Sequence, residues 1–275
     1  MLDVRLGELR DHPFVRVGPP AGASDAPPLV VVTGLNDPLL RVTDALWFAG
    51  AVAAFGARLR RRGYPGPVYV LSRPAGLPAG TTTRDMAAAL APALVAGDLA
   101  PANLLGLSMG GFVVQHLAAD RPDLAARVVL GLAADRLSAR GRATVERWRA
   151  WAAAGEWGRI YRAGVESVAV GPLRRLLRAA TYPYDALSRI PPTAIDFDVS
   201  ARACLAHDAR DRLREIDAPT LVIGGTRDPF FAGRAFRRTA DALPDGAFER
   251  LDGLGHEVVV SRRGRFDGPV LDHLR

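Results

Sequence analysis

Short apolar runs recur along this chain at 29–34, 68–72, 103–107, 127–132 and 220–225, and longer helix-like segments separate them. Each run is too brief and too rich in Val, Leu and Ile for a surface helix. Alternation of such runs with helical stretches is the pattern of βαβ units, in which a mostly parallel sheet is covered by crossover helices. The run at 29–34, with its β-branched Val30, Val31 and Val32, ends at Gly34 and follows a loop-like stretch from Pro19 to Pro28.

The segments between the runs are expected to be helices. One over 44–61 is stopped by Gly63 and Pro65, and others cover 83–95, 110–119 and 234–242. A last short strand is expected over 247–251. The pattern breaks between 135 and 196, a stretch helical in composition that carries Trp148, Trp151 and Trp157 and is broken by Pro183, Pro191 and Pro192. An insertion of this size between two strands reads as a helical cap over the sheet's C-terminal edge. Residues 1–134 and 197–275 then form one core, and 135–196 the cap inserted in it.

With 275 residues, 49% of them hydrophobic and 24% charged, the chain can bury one sizeable core without wholesale disorder. The first ten residues carry Asp3, Arg5, Glu8 and Arg10 and no apolar leader. The longest apolar stretch, 45–57, is too short to cross a bilayer. A soluble, cytoplasmic protein without membrane partners is the expectation. The single cysteine, Cys204, rules out an intrachain disulfide and reads as a buried structural thiol.

The net charge of +7 invites a nucleic-acid partner. Every one of the 36 basic residues is arginine, however, and the basic clusters at 58–62 and 174–178 fit solvated helix ends or faces. No zinc-ligand spacing, RNA-binding aromatic motif or recognition-helix pattern accompanies them. No nucleic-acid partner is expected. The absence of lysine also removes Schiff-base chemistry and a lysine-dependent phosphate loop.

Chemistry concentrates at Gly106, Leu107, Ser108, Met109 and Gly110, a G-x-S-x-G pentapeptide set between an expected strand and an expected helix. The sharp turn lifts the serine Oγ into the open, small residues on either side let the backbone close, and the following helix aims its N–H groups at developing negative charge. A serine hydroxyl needs a base, and the base needs a carboxylate. Of His12, His116, His207, His256 and His273, only His256 sits in a late glycine-flanked loop, with Gly253 and Gly255 nearby. His116 lies mid-helix, His12 precedes the sheet, His207 belongs to a polar helix, and His273 is a second choice near the C-terminus. Asp228, in the loop after the 220–225 run, supplies the acid, with Asp135 as the alternative from the neighbouring strand end.

Residues 105–111, 226–230 and 253–258 together resemble the α/β-hydrolase superfamily, specifically its capped serine esterase and peroxidase-like branch. The resemblance covers nearly the whole chain and is strongest at 29–134 and 216–260. It implies an α/β-hydrolase fold, with a mostly parallel central sheet flanked by helices and a helical cap insertion. It also implies an oxyanion hole formed by the backbone N–H groups of Met109 and Leu35. Family members usually carry His-Gly in the latter loop, whereas Thr33 stands before Gly34 here. The cap tryptophans Trp148, Trp151 and Trp157, with Phe112, are candidates to wall an acyl pocket, and ordinary helix packing explains each of them equally well.

The implied activity is hydrolysis of a small-molecule ester or related acyl substrate through an acyl-enzyme, with no metal and no organic cofactor. Thioesterase, lactonase, C–C hydrolase, acyltransferase and perhydrolase reactions share the same residues, and a serine nucleophile argues against branches that use aspartate at the elbow. A non-hydrolytic protein that binds ligands in the capped pocket is the reading from a different class. The chain is silent on oligomeric state.

Overall fold

The computed structural model describes residues 3–172, 174–176, 179, 194–261 and 263–275. Eight strands form one sheet: β1 Val4–Leu9, β2 His12–Val17, β3 Leu29–Val32, β4 Val68–Leu71, β5 Ala102–Leu107, β6 Ala125–Gly131, β7 Thr220–Gly225 and β8 Gly246–Leu251. Their order is β1-β2-β4-β3-β5-β6-β7-β8. Strands β1 and β2 pair antiparallel, as do β2 and β4, and every later pair is parallel.

The parallel strands are apolar on both faces because helices cover both. Along β3, Val30 and Val32 enter one core with Leu104, Val128, Leu130 and Val222. Leu29 and Val31 enter the other with Leu105, Val129, Leu221 and Ile223. The first core is closed by α2 Thr83–Ala96, α3 Met109–Asp120 and a helix at Gly233–Asp241, through Met86, Leu90, Phe112, Val113 and Phe236. The second is closed by α1 Leu46–Arg61 and the C-terminal helix Arg263–Leu274, through Ala49, Leu59, Phe266 and Val270. Helix α2 opens on a reciprocal capping box between Thr82 and Asp85, which satisfies two of its unpaired amides.

One expectation is corrected at the N-terminus. His12 does not precede the sheet but begins β2, and residues 4–17 form a hairpin whose two-residue turn, Arg10 and Asp11, has φ of 44° and 68°. Edge pairing exposes Val4 and Leu6 on one side, so the hairpin lacks the continuous apolar run that marks the inner strands.

Between β6 and β7 the described residues contain helices and no strand. Among them are α4 Ala139–Ala153, α5 Trp157–Val168 and α6 Ala194–Ala206. Helix α6 runs through the expected boundary at 196 and continues to 206. Pro183, Pro191 and Pro192 lie outside the described residues, as does Arg178. Among the described residues no helix is long and apolar enough to cross a membrane.

Candidate active site

Ser108 stands alone between β5 and α3, with φ 55° and ψ −123°. An L-residue in that region costs about 1–3 kcal/mol, so the surroundings must enforce it. They do so by close approach. A Cβ at Gly106 would overlap Gly111 Cα, and one at Gly110 would overlap the Val32 carbonyl oxygen at the end of β3. Ser108 N–H donates to Gly131 O at 2.9 Å, and Gly111 N–H donates to Ser108 O at 2.9 Å. Met109 opens α3, so its N–H has no preceding helical turn to bond and carries the positive end of the helix dipole.

His256 and Asp228 meet across the ends of β8 and β7. Asp228 Oδ2 accepts from His256 Nδ1 at 2.6 Å, and its other oxygen accepts the N–H groups of Phe230 (2.9 Å) and Phe231 (3.1 Å). Three donors therefore converge on one buried carboxylate. The imidazole sits edge-on to the Phe230 ring, 4.8 Å between centroids, and 6.2 Å from the Phe231 ring. A carboxylate only accepts, so Nδ1 carries the proton and the Nε2 lone pair is left over. That Nε2 is buried and has no hydrogen-bond partner.

Asp135, the alternative acid, is engaged elsewhere. Both its oxygens accept from the Arg238 guanidinium at 2.8–3.0 Å, and its N–H donates to Thr239 Oγ1 at 2.9 Å. The other histidines also sit apart. His207 follows α6, is buried, stacks on Phe112 at 3.9 Å, and is held by Thr83 Oγ1 (2.9 Å) and Gln115 Oε1 (3.2 Å). Burial, followed by neighbouring His116, pushes its pKa down to about 3. His273 bonds the Pro219 carbonyl at 3.2 Å.

Ser108, Met109, Leu35 and His256 line one cavity of about 420 Å³. Its walls are mainly apolar: Leu137, Val145 and Trp148 from the segment after β6, Tyr161 and Val165 from α5, and Phe230 and Phe231 beside Asp228. Of the expected wall residues, only Trp148 lies there. Phe112 does not line the cavity; its ring stacks on His207 at 3.9 Å and packs edge-on to Phe231, 5.9 Å between centroids. Trp157 is buried against Phe197, and Trp151 is half-buried between the guanidinium groups of Arg147 and Arg159. Trp47 and Phe48, at the start of α1, line the cavity and were not singled out from sequence. Cys204 also lines it but is buried, which pushes its thiol pKa up to about 12.

The loop carrying Leu35 is tied down from below. Thr33 Oγ1 donates to Leu71 O at 3.0 Å, and a Cβ at Gly34 would stand 3.4 Å from Ser108 Cβ. The neighbouring Arg73 is buried, donating to Thr33 O at 3.3 Å and Gly34 O at 2.9 Å. Burial lowers its pKa, and Asp37 opposes that shift. Among the described residues no cluster of His, Cys, Asp and Glu is arranged to hold a metal ion.

Comparison with known proteins agrees with this architecture. Residues 80–262 match the hydrolase family described as serine aminopeptidase, S33. A Mycobacterium tuberculosis protein named for non-heme bromoperoxidase activity, BpoC, is 28% identical over 194 residues, which is 64% of this chain and 69% of that one. RutD of Stutzerimonas stutzeri, named as a carbamate hydrolase, is 27% identical over 206 residues, 73% of this chain and 76% of that one. Among solved structures, the α/β hydrolase MGS-M2 from a Medee basin deep-sea metagenome library superposes with a TM-score of 0.77 at 15% identity, covering 98% of this chain and 96% of that one. The matched span, the eight-stranded sheet and the serine elbow together identify the chain as a member of the serine aminopeptidase S33 family, within the α/β-hydrolase superfamily.

Proposed function

We propose that the protein is a serine hydrolase of small, largely apolar esters or related acyl compounds, acting through Ser108, His256 and Asp228. The observation that carries this reading is the shared cavity. A strained serine and a histidine already paired to a buried carboxylate line one apolar space of about 420 Å³.

His256 Nε2 takes the Ser108 hydroxyl proton as Oγ attacks the acyl carbon. The carbonyl oxygen becomes an oxyanion received by the N–H groups of Leu35 and Met109, while Asp228 stabilises the imidazolium. Collapse expels the alcohol, which leaves with the proton from His256. Water, deprotonated by the same nitrogen, then attacks the acyl-enzyme and releases the acid.

The lining narrows the substrate. Receiving a peptide's free ammonium calls for an uncommitted carboxylate. The acidic side chain among the described lining residues, Asp37, accepts Arg73 N–H at 2.8 Å and has its charge matched by the buried Arg73 guanidinium 3.9 Å away. An uncharged acyl group fits the walls better than an N-terminal amine. Carbamate cleavage, named for one relative, begins with the same attack on a carbonyl and belongs to the same substrate range.

A panel of p-nitrophenyl esters from acetyl to octanoyl tests the reading. Turnover by the wild type that is lost in Ser108→Ala supports it. Ligand-induced stabilisation without turnover of any ester would favour a binding protein instead.

A further inference from the structure

Gly34 C=O and Leu35 N–H are the two ends of one peptide group. In a trans peptide they point in opposite directions, so whatever holds the carbonyl also aims the N–H. Arg73 Nη2 donates to Gly34 O at 2.9 Å and Nη1 to Thr33 O at 3.3 Å. Asp37 N–H adds a second donor to Gly34 O at 3.2 Å. The hold is reciprocal: Asp37 Oδ2 accepts Arg73 N–H at 2.8 Å and lies 3.9 Å from its guanidinium. Residues 33–37 thus wrap around a buried cation at the end of β4. Its Nε makes no hydrogen bond, nor does Asp37 Oδ1.

We propose that Arg73 is the positioning residue of the oxyanion hole, aiming and polarising the Gly34–Leu35 peptide so that Leu35 N–H receives the developing oxyanion. This rests on the serine-hydrolase reading above. Thr33 cannot take that part, because its hydroxyl is spent on Leu71 O. A hydrogen bond to a carbonyl draws electron density through the amide and strengthens its N–H as a donor. A charge-assisted bond does so more than a neutral one. Arg73 is not among the residues that line the Ser108 cavity, so its effect passes through the peptide. That effect belongs to the tetrahedral states and not to ground-state binding.

The test is steady-state hydrolysis of p-nitrophenyl butyrate by wild type, Ser108→Ala, Arg73→Gln, Arg73→Ala and Arg73→Lys. Circular dichroism and thermal melting establish which variants fold. Loss of a direct oxyanion donor costs about 100- to 1000-fold in kcat. Loss of its support is expected to lower kcat about 10- to 100-fold in Arg73→Gln while KM changes less than threefold. Arg73→Lys, which offers a charge but no planar fork, falls between the two. Added methylguanidinium restores kcat of Arg73→Ala by at least fivefold without restoring Ser108→Ala. If the neutral variants fail to fold, the kcat and KM of Arg73→Lys decide the matter on the same criterion. A folded Arg73 variant with kcat within twofold of wild type overturns the proposal and leaves the serine reading standing. So does a loss that appears in KM alone. Absence of any Ser108-dependent turnover in the wild type overturns both.

Discussion

His256 Nδ1 lies 2.6 Å from Asp228 Oδ2, and the second oxygen of the same carboxylate holds the N–H groups of Phe230 and Phe231. The acid is thereby fixed by its own loop before it fixes the imidazole. An Asp–Pro pair after a strand is common turn chemistry, and here the turn and the charge partner are one side chain. Replacing Asp228 by Asn keeps a similar shape but can reverse the hydrogen bond and select the other tautomer. We expect kcat on an activated ester to fall about 1000- to 10000-fold.

The Asp135 carboxylate serves a different purpose. It is buried, while its partner Arg238 is about half exposed, with side-chain relative accessibilities of 1% and 48%. Asp135→Asn is expected to cost about 1–2 kcal/mol in urea unfolding and to leave kcat within about threefold. A large loss of kcat here, with Asp228→Asn active, would transfer the acid's role to Asp135.

Gly110 tests the elbow itself. A methyl group there would overlap the Val32 carbonyl oxygen, which is backbone and cannot swing aside. Gly110→Ala should destabilise the fold by about 3 kcal/mol or more and displace Ser108. Gly50, where a Cβ meets nothing within 4 Å, is the control: Gly50→Ala should be neutral or slightly stabilising. Denaturant midpoints of the two variants measure the contrast.

His207 predicts an acid limb in stability. Its folded pKa, about 3, lies below the ordinary value of 6.5, so the unfolded chain takes up a proton that the folded chain refuses. Stability is therefore full above pH 6.5 and falls as the pH drops toward 3. The contribution is about 1.4 kcal/mol per pH unit. In His207→Gln this component should vanish, leaving a shallower decline between pH 6 and 4. Parallel curves for the two proteins would show that His207 is protonated in the folded state.

The inner strands were legible because burial on both faces leaves continuous apolar runs. The serine loop was legible because its steric demands select glycine at set positions. The N-terminal hairpin was not, since β2 starts with His12 and Pro13, and the turn residues Arg10 and Asp11 lack the Asn-Gly or Asp-Gly signature. The cavity wall was hardest to read. Trp47 reaches it from the start of α1, far from Ser108 in sequence, whereas Phe112 sits four residues from Ser108 and does not line it, packing on His207 and Phe231 instead. Local spacing orders residues around one helix but does not say which loops arrive above the sheet. Arg73 escaped notice for the same reason, because its role depends on a neighbouring strand's loop.

Intact-mass analysis after treatment with a fluorophosphonate tests whether Ser108 is an activated nucleophile. One covalent adduct on the wild type and none on folded Ser108→Ala is the expected result. An unmodified wild type, or an adduct that persists in Ser108→Ala, would contradict it.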